Sequence, residues 1–332
     1  MLVTVVIPAY NAAATLGRCL EACLEQTHDQ TEIVVVDDGS TDSTSRIAAQ
    51  HGVDYIYQER QGPAAARNKG VQRARGTIVA FTDADCIPAT DWIAQLLVAF
   101  EEHVAGVGGA YDIANPNRFL ACMIQFEIAA RHAGLDTYVD FLGSFNVAYR
   151  KEVFEAVGGF DETYRAASAE DNDLAYRIQD AGYRLKFTHR ARVAHYHPAR
   201  LPAYLRTQMR HGAWRVKLYV DHPARARRGD NYAGRADLWA PALALIAATG
   251  ALSVPAAFAL TDYGLAAAGA VLTAATLCVI LHVPLAGRIL RLSGEPAMCL
   301  YPVMALLRDI ARGAGMIAGL VRFGLLSVRK RT

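Results

Sequence analysis

A chain of 332 residues and 36.0 kDa is longer than one ordinary domain needs, and its 53% hydrophobic and 20% charged residues, at a mean hydropathy of +0.13, exclude intrinsic disorder and are too apolar for a wholly water-soluble enzyme. The 34 Lys and Arg against 32 Asp and Glu leave a formal net charge of +2, which gives no reason to expect a nucleic-acid binder. Six cysteines without a C-x-x-C pair argue against a disulfide framework or a zinc site and fit a reducing, cytosolic environment.

The opening MLVTVVIPAYN has an apolar run but no basic segment before it and no small-residue cleavage site, so it reads as a first strand and not as a signal peptide. Through residue 200, short β-branched runs at 3–7, 32–36, 53–57, 77–81 and 105–111 alternate with helical patterns at 12–26, 41–50, 64–74 and 91–101. That alternation predicts an α/β fold with a mainly parallel sheet covered on both faces. Such sheets bind ligands beyond the carboxyl ends of their strands, and the polar motifs fall there.

Pro8, Ala9, Tyr10 and Asn11 follow the first strand, and Asp37, Asp38, Gly39, Ser40, Thr41 and Asp42 follow the second. Asp38 can accept a hydrogen bond from a base imide or a ribose hydroxyl; the plain alternative is a turn and a helix cap. In Gly62 to Gly70, Arg67 and Lys69 sit early in a helix after a Gly-Pro break, facing nucleotide phosphates or forming an ordinary solvated face. Thr82, Asp83, Ala84, Asp85 and Cys86 end the fourth strand. Alternate residues of an extended chain project to one side, so Asp83 and Asp85 form a carboxylate pair that repels itself without a cation; beside a diphosphate, Mg²⁺ or Mn²⁺ is that cation. Glu170, Asp171 and Asp173 crowd one helix start, as a general base with neighbours or as compensation of the helix dipole. His195 and His197 end a further strand as structural histidines, with His195 in reach of the metal or diphosphate as the sharper alternative.

From 201 to 220, Leu201, Leu205, Met209, Ala213 and Val216 recur at helical spacing beside a stripe of Arg206, Arg210 and Lys217. Such a helix suits anionic lipid of the inner leaflet or a lipid diphosphate, or else packs its apolar face inward. Residues 238–260 and 264–287 carry no charge, and each is long enough to span a bilayer around a turn at Thr261, Asp262 and Tyr263. Arg225, Arg227, Arg228 and Arg235 precede this hairpin and Arg288 and Arg291 follow it, which places the N-terminal domain on the cytoplasmic side. A stretch at 296–326 carries Arg308, Asp309, Arg312 and Arg322, so an interfacial or re-entrant helix pair is preferred to a third crossing; the tail ends Arg329, Lys330, Arg331. The expected domains are therefore 1–200, catalytic; 201–237, interfacial helix and basic linker; 238–287, transmembrane hairpin; and 288–332, apolar helices with a basic tail.

In order, VVIPAYN (5–11), VVDDGSTD (35–42), GPAAARNKG (62–70), FTDADC (81–86), GGFDE (158–162) and EDNDLAYRI (170–178) resemble the family 2 glycosyltransferases, the inverting group with the GT-A fold. The resemblance covers roughly residues 2–215, and with its membrane hairpin the chain looks most like bacterial exopolysaccharide enzymes of the succinoglycan glucosyltransferase type. It implies a nucleotide-diphospho-sugar donor held by Pro8, Tyr10, Asn11, Asp38, Arg67 and Asp83, a metal at Asp85 and Asp83, and a catalytic base at Asp171, with Glu170 beside it. Processive members carry Q-x-x-R-W near the membrane; here Gln208, Arg210 and Trp214 stand in Q-M-R-H-G-A-W, with Arg and Trp apart. These three are the expected contacts of a polyprenyl-diphosphate-linked acceptor. The implied function is a multi-pass inner-membrane enzyme adding one sugar to a lipid-linked saccharide, with a polyprenyl-phosphate sugar synthase or a processive polysaccharide synthase as the alternatives.

Overall fold

The first strand, β1 (Val3–Ala9), is covered on both faces, and its side chains divide between two cores: Val3, Val5 and Ile7 join one buried cluster and Val6 the other. In the computed structural model, which describes residues 1–226, 235–260 and 262–324, β1 pairs in parallel with β2 (Thr31–Asp38) and β4 (Ile78–Phe81), and β2 with β3 (Asp54–Gln58). Thr261, Arg227, Arg228, Arg329, Lys330 and Arg331 lie outside the described residues.

Beyond β4 the sheet becomes mixed. β7 (Val147–Arg150) runs antiparallel to β4 and to β6 (Val104–Ile113), β8 (Arg184–His195) parallel to β6, and β5 (Cys86–Pro88) antiparallel to β8. The order is β3-β2-β1-β4-β7-β6-β8-β5. The mainly parallel expectation holds for the first four strands; β5 and β7, of three and four residues, are too short to leave a periodic signal.

Helices α1 (Leu16–Leu24), α2 (Thr44–Gln50), α3 (Pro63–Arg73), α4 (Trp92–Val98), α5 (Phe119–His132), α6 (Lys151–Ala156) and α7 (Glu170–Asp180) complete this part of the chain. One core joins Leu16 and Leu20 to Trp92, Ile93 and Leu96. The other centres on Phe81, whose ring lies 5.6 Å from Phe154 and 5.5 Å from Phe160.

The chain divides into two compact units, Met1–Gln125 with His132–His197, and Phe126–Arg131 with Pro198–Thr332. The second unit is helical: α8 (Leu201–Asp221), α9 (Pro223–Ala226), α10 (Arg235–Leu260), α11 (Gly264–Ser293), a 3₁₀ turn at Pro296–Leu300, α12 (Tyr301–Gly319) and a π turn at Leu320–Gly324. Two helical stretches, Trp239–Ala259 and Gly264–Ser293, are long and apolar enough to cross a membrane. Their large apolar side chains point outward, Leu252 being 83% and Leu265 79% exposed.

α8 departs from its expected apolar face. Of that face Val216 is buried, Leu205 and Ala213 are half-buried, and Leu201 and Met209 are exposed, while Tyr204, Gln208, Gly212, Trp214 and Leu218 are buried beside Val216. The reason lies in backbone proximity to α12: a Cβ at Gly212 would overlap the Arg312 carbonyl, and one at Gly315 the Met209 carbonyl. Small residues let these two helices approach as membrane helices do, so Gly212 and its flanking turn join the buried face beside Trp214, Val216 and Leu218.

Candidate active site

The loops after β1, β2 and β4 meet at one sheet edge, and hydrogen bonds fasten them. Asn11 Oδ1 accepts from the Thr41 amide (2.8 Å), and the Asn11 amide donates to Ser40 Oγ (2.8 Å). Buried Asp37 accepts from the Ser40 amide (2.8 Å) and from Tyr55 Oη (2.8 Å). Asp38 Oδ1 accepts from Gln58 Nε2 (2.7 Å) and the Gln61 amide (2.8 Å), and Oδ2 from the Gly62 amide (2.9 Å). A carboxylate offers about four acceptor sites, so Oδ2 retains room for a further donor. Gly62, at φ 105°, has no space for a side chain because a Cβ would press on the Arg165 carbonyl. At the mouth, Arg60 lies 3.8 Å over the exposed Tyr10 ring and donates to Tyr10 Oη (2.7 Å). Pro8 is half-buried at the end of β1.

Arg67 is not on a phosphate-facing surface. It is 1% exposed, donating to Asp83 Oδ1 (2.7 Å) and to Glu170 Oε1 (3.0 Å). The expectation from the helix start fails because α3 packs against the sheet, and a buried guanidinium must take carboxylate partners. Arg67 therefore braces the β4 loop against the start of α7, and Asp83 is committed to that brace through one oxygen.

Asp85 stands apart, with a side chain 46% exposed. The β5–β8 register sets His195 opposite Cys86, which brings His195 Nε2 to 3.4 Å from Asp85 Oδ2. A chain of bonds behind it fixes the ring. Gln125 Nε2 donates to the Tyr111 carbonyl (2.5 Å), turning Gln125 Oε1 toward His197 Nε2 (3.0 Å); His197 Nδ1 in turn meets His195 Nδ1 at 3.0 Å. Burial, and then the charge of His195, hold His197 down at about 3, so it is neutral, donating from Nε2 and accepting at Nδ1. His195 carries its hydrogen on Nδ1 and directs Nε2 at Asp85. Burial opposes charge on both of these groups, but their mutual attraction outweighs it: Asp85 lies below the usual carboxylate range and His195 above the usual imidazole range.

Ligand atoms of Asp85, Cys86 and His195 lie within 4.8 Å of one another. Carboxylate oxygen and imidazole nitrogen suit Mn²⁺ or Mg²⁺, the imidazole favouring the former, so the donor set fits a divalent cation. Cys86 is a weaker candidate, since burial and the charge of Asp85 push its thiol well up.

At the start of α7 the three acids part company. Glu170, 2% exposed, accepts from Arg67 and from the Ser168 amide (2.6 Å), and burial followed by the charge of Asp171 raises it to about 7. Asp173 pairs with Arg177 (2.6 Å). Asp171 is half-buried, and its Oδ1 accepts from the Asn172 amide (2.9 Å). Among the described residues, the two non-glycine positions with positive φ are Asn11 (49°), in the loop after β1, and Ala169 (71°), just before α7. A left-handed alanine costs about 1–2 kcal/mol, and such strain gathers at functional sites.

Pro8, Tyr10, Asn11, Asp38, Asp83, Asp85, Glu170 and Asp171 thus all belong to the first unit. Gln208, Arg210 and Trp214 belong to the second. There Gln208 accepts from Arg312 Nε (2.8 Å), Trp214 packs on Phe323 (5.2 Å between rings), and Arg210 is exposed. Sequence reading missed Arg60, Gln58, Gln125 and Phe145, the last stacked 5.0 Å from His195. No spacing signals them, because strand pairing and loop folding bring them in.

The model of glycosyl transferase family 2 matches residues 4–158, and that of the N-terminal domain of galactosyltransferase matches residues 125–200. Glycosyltransferase AglE of Haloferax volcanii is 32% identical over 237 residues, covering 66% of this chain and 74% of AglE. The pre-mycofactocin glycosyltransferase of Mycobacterium tuberculosis is 31% identical over 233 residues, covering 67% of this chain and 48% of that protein. Among solved structures, the mannosyltransferase PcManGT of Pyrobaculum calidifontis, in complex with GDP-Man and Mn²⁺, matches with a TM-score of 0.58 at 22% identity, covering 97% of this chain and 87% of the other. That last likeness is one of fold.

Proposed function

The chain belongs to glycosyltransferase family 2, and from that premise we propose a membrane-anchored inverting enzyme that passes one sugar from a nucleotide-diphospho-sugar to a lipid-linked saccharide at the cytoplasmic face. The observation that carries this reading is the start of α7, which Arg67 ties to Asp83 through Glu170, so that half-buried Asp171 stands beside the acidic loop after β4.

Asp171 removes the proton from the acceptor hydroxyl as that oxygen attacks the anomeric carbon, opposite the diphosphate. One displacement with one base inverts the configuration. Glu170, buried and tied to Arg67, keeps the loop in place and is not presented to an acceptor. Asp38 and the Tyr10–Arg60 pair receive the nucleoside, through the remaining acceptor site of Oδ2 and the exposed ring. Asp85 and His195, with Asp83 through its oxygen not bound by Arg67, would hold a divalent cation, which supplies neutralisation of the diphosphate's charge. The relative solved with GDP-Man and Mn²⁺ supports both the donor class and the cation. The exposed apolar surfaces of Trp239–Ala259 and Gly264–Ser293 support insertion in lipid and hence a lipid-borne acceptor.

The test is nucleoside diphosphate release by the full chain across a panel of donors, with and without membrane-lipid extract. One donor is expected to respond, with release stimulated by the extract and a lipid product carrying one added sugar. Release stimulated by soluble saccharide and not by lipid contradicts the acceptor class, and a long polymer contradicts single addition.

A further inference from the structure

The second unit buries an ionic cluster that the reaction above does not use. Arg131 forks onto Asp237 (3.0 and 2.8 Å) and also reaches Glu127 (3.1 Å). Arg308, 0% exposed, donates to Glu127, to Asp309 Oδ1 (3.0 Å) and to Tyr301 Oη (3.2 Å), and Asp309 Oδ2 meets His282 Nε2 at 2.6 Å. These contacts engage all three carboxylates with Arg131, Arg308 and His282. Arg312, one turn beyond Arg308 on the same face of α12, is half-buried and meets a neutral acceptor, Gln208 Oε1, at 2.8 Å. Moreover, Arg308 Nη2 is buried with no hydrogen-bond partner. Of two guanidiniums on one helix face, Arg312 therefore meets only a neutral acceptor, the Gln208 amide, while Arg308 keeps one buried donor unpaired behind it.

Resting on the membrane reading above, the location is specific. Asp237 stands at the beginning of α10, and His282 lies about 27 Å along α11 from Gly264 at ~1.5 Å per residue. A hydrocarbon core is ~30 Å thick, so both mark the end of the hairpin away from its turn, the end flanked by Arg288 and Arg291. Basic groups at that end meet phosphorylated headgroups, and a guanidinium not forked onto a carboxylate matches phosphate oxygens.

We infer that Arg312, with Gln208, is the seat of the phosphate or diphosphate of a phosphorylated lipid, the anchor of the acceptor, and that buried Arg308 one turn back adds its positive charge from behind. The sequence reading assigned that role to Arg210, which is exposed on α8; Arg312 is the arginine beside Gln208.

Binding of polyprenyl phosphate to the full chain in neutral-lipid nanodiscs tests this, with inorganic diphosphate as competitor and donor affinity measured alongside. Arg312→Gln is expected to weaken polyprenyl phosphate binding by about 10- to 100-fold, the range for losing charge-assisted bonds, with donor affinity unchanged. Arg312→Lys keeps the charge and the fold but loses the fork, and should fall between wild type and Gln. Full lipid affinity in both variants overturns the inference while leaving lipid-dependent transfer standing. Equal competition by inorganic diphosphate makes the seat one for a free anion and overturns the lipid source. Wild-type protein that binds no polyprenyl phosphate yet glycosylates a soluble saccharide removes the proposed function itself.

Discussion

Asp171→Asn is expected to abolish sugar transfer and to leave donor binding nearly intact. The substitution keeps shape and volume and removes basicity, and a positioned general base is worth about 10²- to 10⁴-fold in rate, or about 3 to 5 kcal/mol of barrier. Single-turnover transfer alongside donor titration separates the two effects. Glu170→Gln should differ in kind: it breaks the Arg67 brace in a buried setting, so its loss of transfer comes with a lowered Tm, which Asp171→Asn does not show. Wild-type rates in Asp171→Asn would remove Asp171 from the mechanism and favour a lipid phosphate as the nucleophile, which needs no base. Equal losses with unchanged Tm in both variants would mean a shared network.

Asp85→Ala is expected to lower turnover by about 10²- to 10³-fold and to weaken Mn²⁺ binding, because the electrostatic stabilisation of the leaving diphosphate is lost with the cation. Asp83→Ala should cost less in metal affinity and more in stability, since Asp83 Oδ1 is held by Arg67. Isothermal titration with Mn²⁺ and thermal unfolding distinguish them. Full turnover in excess chelator, or equal Mn²⁺ affinity in Asp85→Ala and wild type, contradicts the assignment of the cation to Asp85.

How much could be read in advance follows from what each residue's role depends on. The strands at Val3–Ala9 and Thr31–Asp38 announce themselves through buried β-branched runs, and the acidic motifs through their places at the ends of β2 and β4 and the start of α7. Arg67 was legible as important but not in its orientation, because the sequence of α3 does not reveal that this side chain turns toward Asp83 and Glu170. His195 was legible only as an alternative, since its position beside Asp85 depends on β5 pairing with β8 across a separation of more than a hundred residues. The charges at Arg308 and Asp309 read as obstacles to burial; in the fold they are buried because Glu127 and His282 supply partners from other helices and Tyr301 one from α12 itself. α8 misled in part, its buried face keeping Val216 of the expected stripe but turning toward the glycine contacts with α12 and away from Leu201 and Met209.

The central claim is a single displacement at the anomeric carbon, driven by one carboxylate base. The anomeric configuration of the first product formed, read by proton NMR coupling constants on the transferred sugar, tests it most directly. Inversion relative to the nucleotide donor is the predicted result; retention would require two displacements or front-face attack and would contradict the assignment of Asp171 as the base of a single step.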